Sequence, residues 1–182
     1  FLEKAGKDVT LIARGKHLEA IRKNGLTIQK LWDESRETLP VKACTAEEYK
    51  ETPDVILICV KGYSMDETVP AIKKIAGKET VVIPILNIYG TGGRLQKKLP
   101  ELTVSDGCIY VSANILEPGV ILQHGKILRV VFGARKPEEE TEKMREVAKD
   151  MASDEMEVVL SENIRRDAMV KFSYVSPIGA AG

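Results

Sequence analysis

Apolar runs alternate with polar, helix-spaced stretches along the chain as far as residue 160, and this alternation predicts strands and helices in turn. Residues 1–6 read as the last turns of a helix stopped by Gly6, with Lys7-Asp8 as the turn that follows. Residues 9–15, Val-Thr-Leu-Ile-Ala-Arg-Gly, predict a buried parallel strand closing on Arg14. Residues 16–24 place Leu18 and Ile21 on one helical side and stop at Asn24-Gly25. Two short strands, 26–29 and 38–41, flank a charged loop around Asp33, Glu34 and Arg36 and form a β excursion. Residues 54–61 are continuously apolar between Asp54 and Lys61, as a doubly covered strand is, and Ser64 or Asp66 can cap a helix through Val69, Ile72 and Ile75 to Gly77.

A further buried strand spans 80–86, with Asn87 the first polar side chain at its end, and a glycine-loosened turn leads to a helix over about 94–99. Residues 103–111 read as one strand, 114–116 and 120–124 as a hairpin on Pro118-Gly119, and 127–132 as the last strand, stopped by Gly133. Residues 137–151 predict an amphipathic helix whose first turns hold four acids, which suits the positive end of its dipole. Val158-Val159-Leu160 is a short apolar stretch. From Ser161 the pattern becomes helical, with Ser161-Glu162-Asn163 as a cap and Ile164, Ala168 and Lys171 on one side, running toward Gly182. The expected fold is α/β, a Rossmann-type mostly parallel sheet with flanking helices, followed by the first helix of an all-α domain; the boundary falls near residue 160.

Composition narrows the function. With 182 residues and 43% hydrophobic content the chain can bury a core, amounting to one domain plus a fragment of another. Lys+Arg and Asp+Glu are both 27, so no basic field favours nucleic acid. No apolar run approaches the roughly 18 residues of a membrane span, and the start lacks a signal-peptide layout. Cys44, Cys59 and Cys108 are odd in number and form no CxxC, and Cys59 and Cys108 fall in strand-like runs, which favours small buried residues in a reducing cytoplasm. His17 and His124 have no metal-ligand spacing, so no metal is expected.

The candidate chemistry sits at strand ends, where open α/β sheets bind ligands. Arg14 offers a planar cation to the 2′-phosphate of NADP, where an acid would instead accept from the ribose hydroxyls of NAD; equally, it is a solvated residue past a strand. Lys16 and His17 either join that cluster or belong to an ordinary charged helix face. Lys61 can reach a phosphate or ribose, or point to water. Asn87 can donate to a carbonyl oxygen and accept from a hydroxyl, or serve as a turn asparagine. Trp32 either binds a ligand or covers the β excursion. The glycine-rich phosphate loop belongs about 20 residues before Arg14, ahead of residue 1, so the expectation is a chain that begins inside the first helix and does not by itself bind NADP well or act as a reductase.

The ordered motifs Ala5-Gly6 to Gly15 (AGxxVTLIARG), Leu18 to Leu26 (LxxIxxNGL), Val60-Lys61, Asn87 with Gly90 and Arg94-Leu95, Glu117-Pro118-Gly119 and His124-Gly125 resemble the ketopantoate reductase (2-dehydropantoate 2-reductase) family across the whole chain. The resemblance implies NADPH-dependent reduction of 2-dehydropantoate to pantoate, on the route to pantothenate, in a cleft between a Rossmann domain and a helical one. It implies an NADP-binding domain over 1–160 and the start of the substrate domain over 161–182. By position, Arg14 corresponds to the 2′-phosphate arginine, Lys61 to the cofactor lysine, Asn87 to the asparagine near nicotinamide and substrate, and Ala113 to a backbone contact with the cofactor. Lys171 corresponds to the catalytic lysine, which also meets the substrate; on its residues alone it reads as a surface helix lysine. An ammonium there can stabilise the alkoxide left by hydride transfer and protonate it.

The chain departs from the family at Leu86-Asn87-Ile88, where glutamine and glycine usually flank the asparagine, and at Val175 and Gly179, which replace substrate-binding asparagines. Those changes leave open a reductase of a less polar 2-keto acid, or a non-catalytic NADP-binding sensor or interaction module. A homodimer is also left open, and neither a membrane nor nucleic acid is expected as a partner.

Overall fold

A computed structural model describes the backbone of residues 1–181 and the side chains of residues 1–176. The elements in chain order are β1 (Thr10–Ile12), α1 (Gly15–Asn24), β2 (Leu26–Lys30), β3 (Arg36–Leu39), β4 (Lys42–Cys44), β5 (Val55–Ile58), α2 (Val69–Ile75), β6 (Val81–Pro84) and α3 (Thr91–Lys98). They continue with β7 (Thr103–Val104), β8 (Asp106–Tyr110), β9 (Ala113–Glu117), β10 (Val120–Gln123), β11 (Arg129–Gly133), α4 (Glu142–Met151), β12 (Glu157–Leu160) and α5 (Ile164–Ala181). The chain forms two compact units, one from residues 1–50, 110–128 and 153–156, the other from residues 51–109, 129–152 and 157–182. Among the described residues, no helix is long and apolar enough to cross a membrane.

In the first unit, β1 runs parallel to β4, and a four-stranded sheet has the order β3-β2-β10-β9. The expected β excursion is an antiparallel pair, with Leu26 opposite Leu39 and the Thr27 and Thr38 hydroxyls 2.8 Å apart. The predicted hairpin also forms, β9 antiparallel to β10. Helix α1 buries Leu18 and Ile21 and ends where Gly25 takes φ +82, a left-handed value that favours glycine. A Cβ there would also lie 2.5 Å from the Leu39 carbonyl oxygen. Residues 1–6 form turns rather than a regular helix, but they close as helices do: Gly6 donates to Glu3 O (2.9 Å) and Lys7 to Leu2 O (3.1 Å).

In the second unit, β5, β6 and β7 are parallel, and β12, β11 and β8 form another sheet. Strand β6 is buried at every position, and Ile58, Met65, Val69, Ile72, Val82, Leu86, Leu95, Leu99 and Val104 make the core around it. Helix α5 packs on β11, with Ile164 fully buried. Val158 to Leu160, which read only as an apolar stretch, pair in parallel with β11 as β12.

Several expectations are corrected here. Residues 103–111 are two strands: β7 pairs with β6, then Ser105 donates to Val82 O at 3.0 Å and the chain passes into the sheet of β11. Neither Ser64 nor Asp66 caps α2; both lie in 3₁₀ turns, α2 begins after Thr68 with Pro70 in its first turn, and Asp66 pairs with Lys98 at 2.7 Å. Glu138 and Glu139 lie in a 3₁₀ turn and Glu140 is extended, so only Glu142 stands in the first turn of α4. Thr141 caps that helix, its hydroxyl accepting from Met144 N–H at 3.3 Å. Cys59 is exposed, because β5 stops at Ile58; Cys108 is buried and Cys44 half-buried. Gly179 and Gly182 fall outside the residues whose side chains are described.

Candidate active site

Two elements of the second unit bring polar groups together. Strand β6 ends at Pro84, which has no N–H to extend a ladder, and Leu86 is the last buried residue before Asn87 emerges. Helix α5 starts from a local network: Asn163 Oδ1 accepts from Arg166 N–H at 3.1 Å, while Ser161 Oγ accepts from Asn163 N–H at 3.0 Å and donates to Asp167 Oδ2 at 2.6 Å. From that start, helical spacing aligns Ile164, Ala168, Lys171 and Val175 on the packed side. Lys171 is 6% exposed, and its Nζ donates to Asn87 Oδ1 at 2.7 Å.

A small half-open cleft surrounds this pair, with an interior of about 10 Å³, close to the space of a single water. Leu86, Asn87 and Ile88 form one wall and Gly107 and Cys108 of β8 another. Helix α5 supplies the third through Ala168, Lys171, Phe172 and Val175. Gly107 allows β8 to come close, since a Cβ on it would meet Pro84 O at 3.0 Å and Ile83 Cγ2 at 3.1 Å. The Tyr89 and Phe172 rings lie 6.4 Å apart, tilted by 44°, beside the cleft. Burial pushes the Lys171 ammonium below the ordinary lysine range, and the nearby Cys108 thiol acts the other way. Burial pushes the Cys108 thiol up, against the pull of Lys171.

Of the residues expected from the sequence, the structure joins Asn87 and Lys171. Lys61 is exposed at the start of a 3₁₀ turn in the same unit. Arg14 and Ala113 are exposed residues of the first unit, Arg14 immediately before α1 and Ala113 opening β9. His17 Nδ1 accepts from Gly119 N–H at 3.0 Å, tying α1 to the hairpin turn. Trp32 is half-buried, with Lys30 Nζ 5.8 Å from its ring centroid. Cys108 and Phe172 were not expected at the site. Phe172 sits one residue past Lys171, so helical spacing alone placed it nearby, whereas the pattern of β8 marked Cys108 only as buried.

The family model for ketopantoate reductase PanE/ApbA matches residues 1–137. The chain belongs to the ketopantoate reductase family. A relative named 2-dehydropantoate 2-reductase, from Pyrococcus horikoshii, is 32% identical over 184 residues, covering 98% of this chain and 58% of that protein. A Bacillus subtilis oxidoreductase, YkpB, is 27% identical over 175 residues, covering 96% and 56%. The chain therefore spans about half the length of the curated relatives it matches. The crystal structure of 2-dehydropantoate 2-reductase from Porphyromonas gingivalis W83 superposes with a TM-score of 0.83 at 31% identity, over 96% of this chain and 62% of that one. The α/β arrangement of family members is Rossmann-type, as expected from the strand and helix alternation.

Proposed function

We propose that the protein reduces the ketone of a 2-keto acid to a 2-hydroxy acid with NADPH, with 2-dehydropantoate, which gives the relatives their name, as the reference substrate. The observation that carries this reading is the part-buried hydrogen bond from the buried Lys171 to the exposed Asn87, just past the end of β6. Residues 1–160 form the cofactor-binding part in this reading and residues 161–182 open the substrate-binding part.

The residues at the start of α1 fit an anionic cofactor. Arg14 is exposed and Lys16 follows it, no acid stands in the first turn, and no side chain caps the helix. Two cations at the positive end of a helix dipole repel it, and a phosphate relieves both. Arg14 is thus the 2′-phosphate residue of the reading, with Lys61, at the start of the 3₁₀ turn after β5, a second cofactor contact and Ala113 offering its backbone. NADPH, when bound, supplies the hydride. Lys171 holds a proton at Nζ for the oxygen of the reduced ketone, and its lowered pKa makes that proton easier to release than an ordinary lysine's. Asn87 orients the ammonium through its Oδ1 and keeps its amide N–H groups for a substrate oxygen.

The test uses the full-length gene product with NADPH and a panel of 2-keto acids that includes 2-dehydropantoate. Turnover is expected, and Lys171→Ala is expected to abolish it while NADPH affinity, read by titration calorimetry, stays. NADPH binding without turnover of any keto acid would replace this reading with a cofactor sensor.

A further inference from the structure

The cleft around Lys171 and Asn87 has two amide- or ammonium-bearing side chains among the described residues, and they are bonded to each other. Apart from the backbone of Gly107, the other side chains of its wall are hydrocarbon or soft sulfur: Leu86, Ile88, Cys108, Ala168, Phe172 and Val175. Cys108 is 3% exposed, and burial keeps its thiol protonated. A keto acid whose ketone oxygen takes the water-sized space beside Lys171 and Asn87 brings the carbon next to the ketone up against the side chains that rim it. A hydrocarbon branch gains by leaving water there, whereas a hydroxyl leaves its water partners without replacement.

Resting on the reductase reading above, we infer that the walls from β8 and α5, with Cys108 and Val175 as the selecting residues, favour 2-keto acids whose side chain is hydrocarbon over those that carry a hydroxyl. An apolar pocket discriminates against an added hydroxyl by up to about a hundredfold, so the preference is roughly tenfold to a hundredfold in kcat/KM.

A matched pair reads this directly: 3,3-dimethyl-2-oxobutanoate and 2-dehydropantoate, which is the same skeleton with a 4-hydroxyl. Both are assayed with NADPH in the full-length gene product. The ratio of kcat/KM is expected to favour the deoxy compound about tenfold or more. Val175→Thr and Cys108→Ser each add a hydroxyl at nearly constant volume, and each is expected to shrink the ratio several-fold, chiefly by improving turnover of 2-dehydropantoate. Two substitutions on different elements protect the test against one of them failing to fold. A wild-type ratio below about three, or a ratio that neither substitution moves, overturns the inference and leaves the reductase reading standing. No turnover of either compound by a protein that binds NADPH overturns both.

Discussion

Replacing Asn87 by aspartate places a carboxylate where an amide oxygen now accepts from Lys171 at 2.7 Å. Burial holds the Lys171 ammonium below the ordinary lysine range, with the Cys108 thiol acting the other way. At 2.7 Å a pair of unit charges interacts by about 6 kcal/mol at an effective dielectric near 20. That caps the rise in the lysine's pKa at roughly four to five units. Asn87 is exposed, so solvent screens the pair and the expected rise is roughly one to three units. The assay is the pH dependence of kcat/KM for the full-length gene product with NADPH and a 2-keto acid. Its basic limb, where Lys171 loses the donated proton, moves to higher pH in Asn87→Asp. Asn87→Leu supplies the opposite sign: the charged form loses an acceptor, a loss of about 1.5 to 3 kcal/mol, and the limb moves down by about one to two units. A limb that stays in place in both variants refutes the assignment of Lys171 as proton donor.

Arg14→Ala is expected to raise KM for NADPH about tenfold to a hundredfold and to leave KM for NADH nearly unchanged; equal effects on both would make Arg14 structural and turn attention to Lys61. Lys171→Met removes a buried ammonium, so it is expected to be more stable than wild type to urea at neutral pH. Because the folded-state pKa of Lys171 lies below its unfolded value, the unfolded chain binds more protons between the two; wild type therefore gains stability relative to Lys171→Met as pH rises through that window toward 10.5, and a constant difference would contradict the lowered pKa. Phe132→Ala empties a site in β11 that is 0% exposed and is expected to cost about 3 to 5 kcal/mol in urea unfolding, with a loss under about 1 kcal/mol showing that the position is not core.

Periodicity by itself determined most of the strands, the helices between them, the β excursion and the hairpin on Pro118-Gly119, because apolar spacing records which side of an element is buried. It also marked Asn87, a polar residue ending a run buried on every face. It could not show what each buried face packs against. Residues 103–111 are uniformly strand-like, and only the pairing of Val104 with Val82, followed by the shift to β11, breaks them at Ser105. The acids after Pro137 suit a helix N-terminus, yet the capping geometry of Thr141 started α4 beyond most of them. Lys171 looked like a surface lysine because helical spacing within one element cannot reveal a neighbour 84 residues away. The packing of α5 on β11 buries its ammonium, and the close approach allowed by Gly107 brings Cys108 into the same cleft. Residue types and their spacing are local, whereas burial, proton affinity and the wall a substrate meets arise from contacts between distant parts of the chain, and those exist only once it has folded.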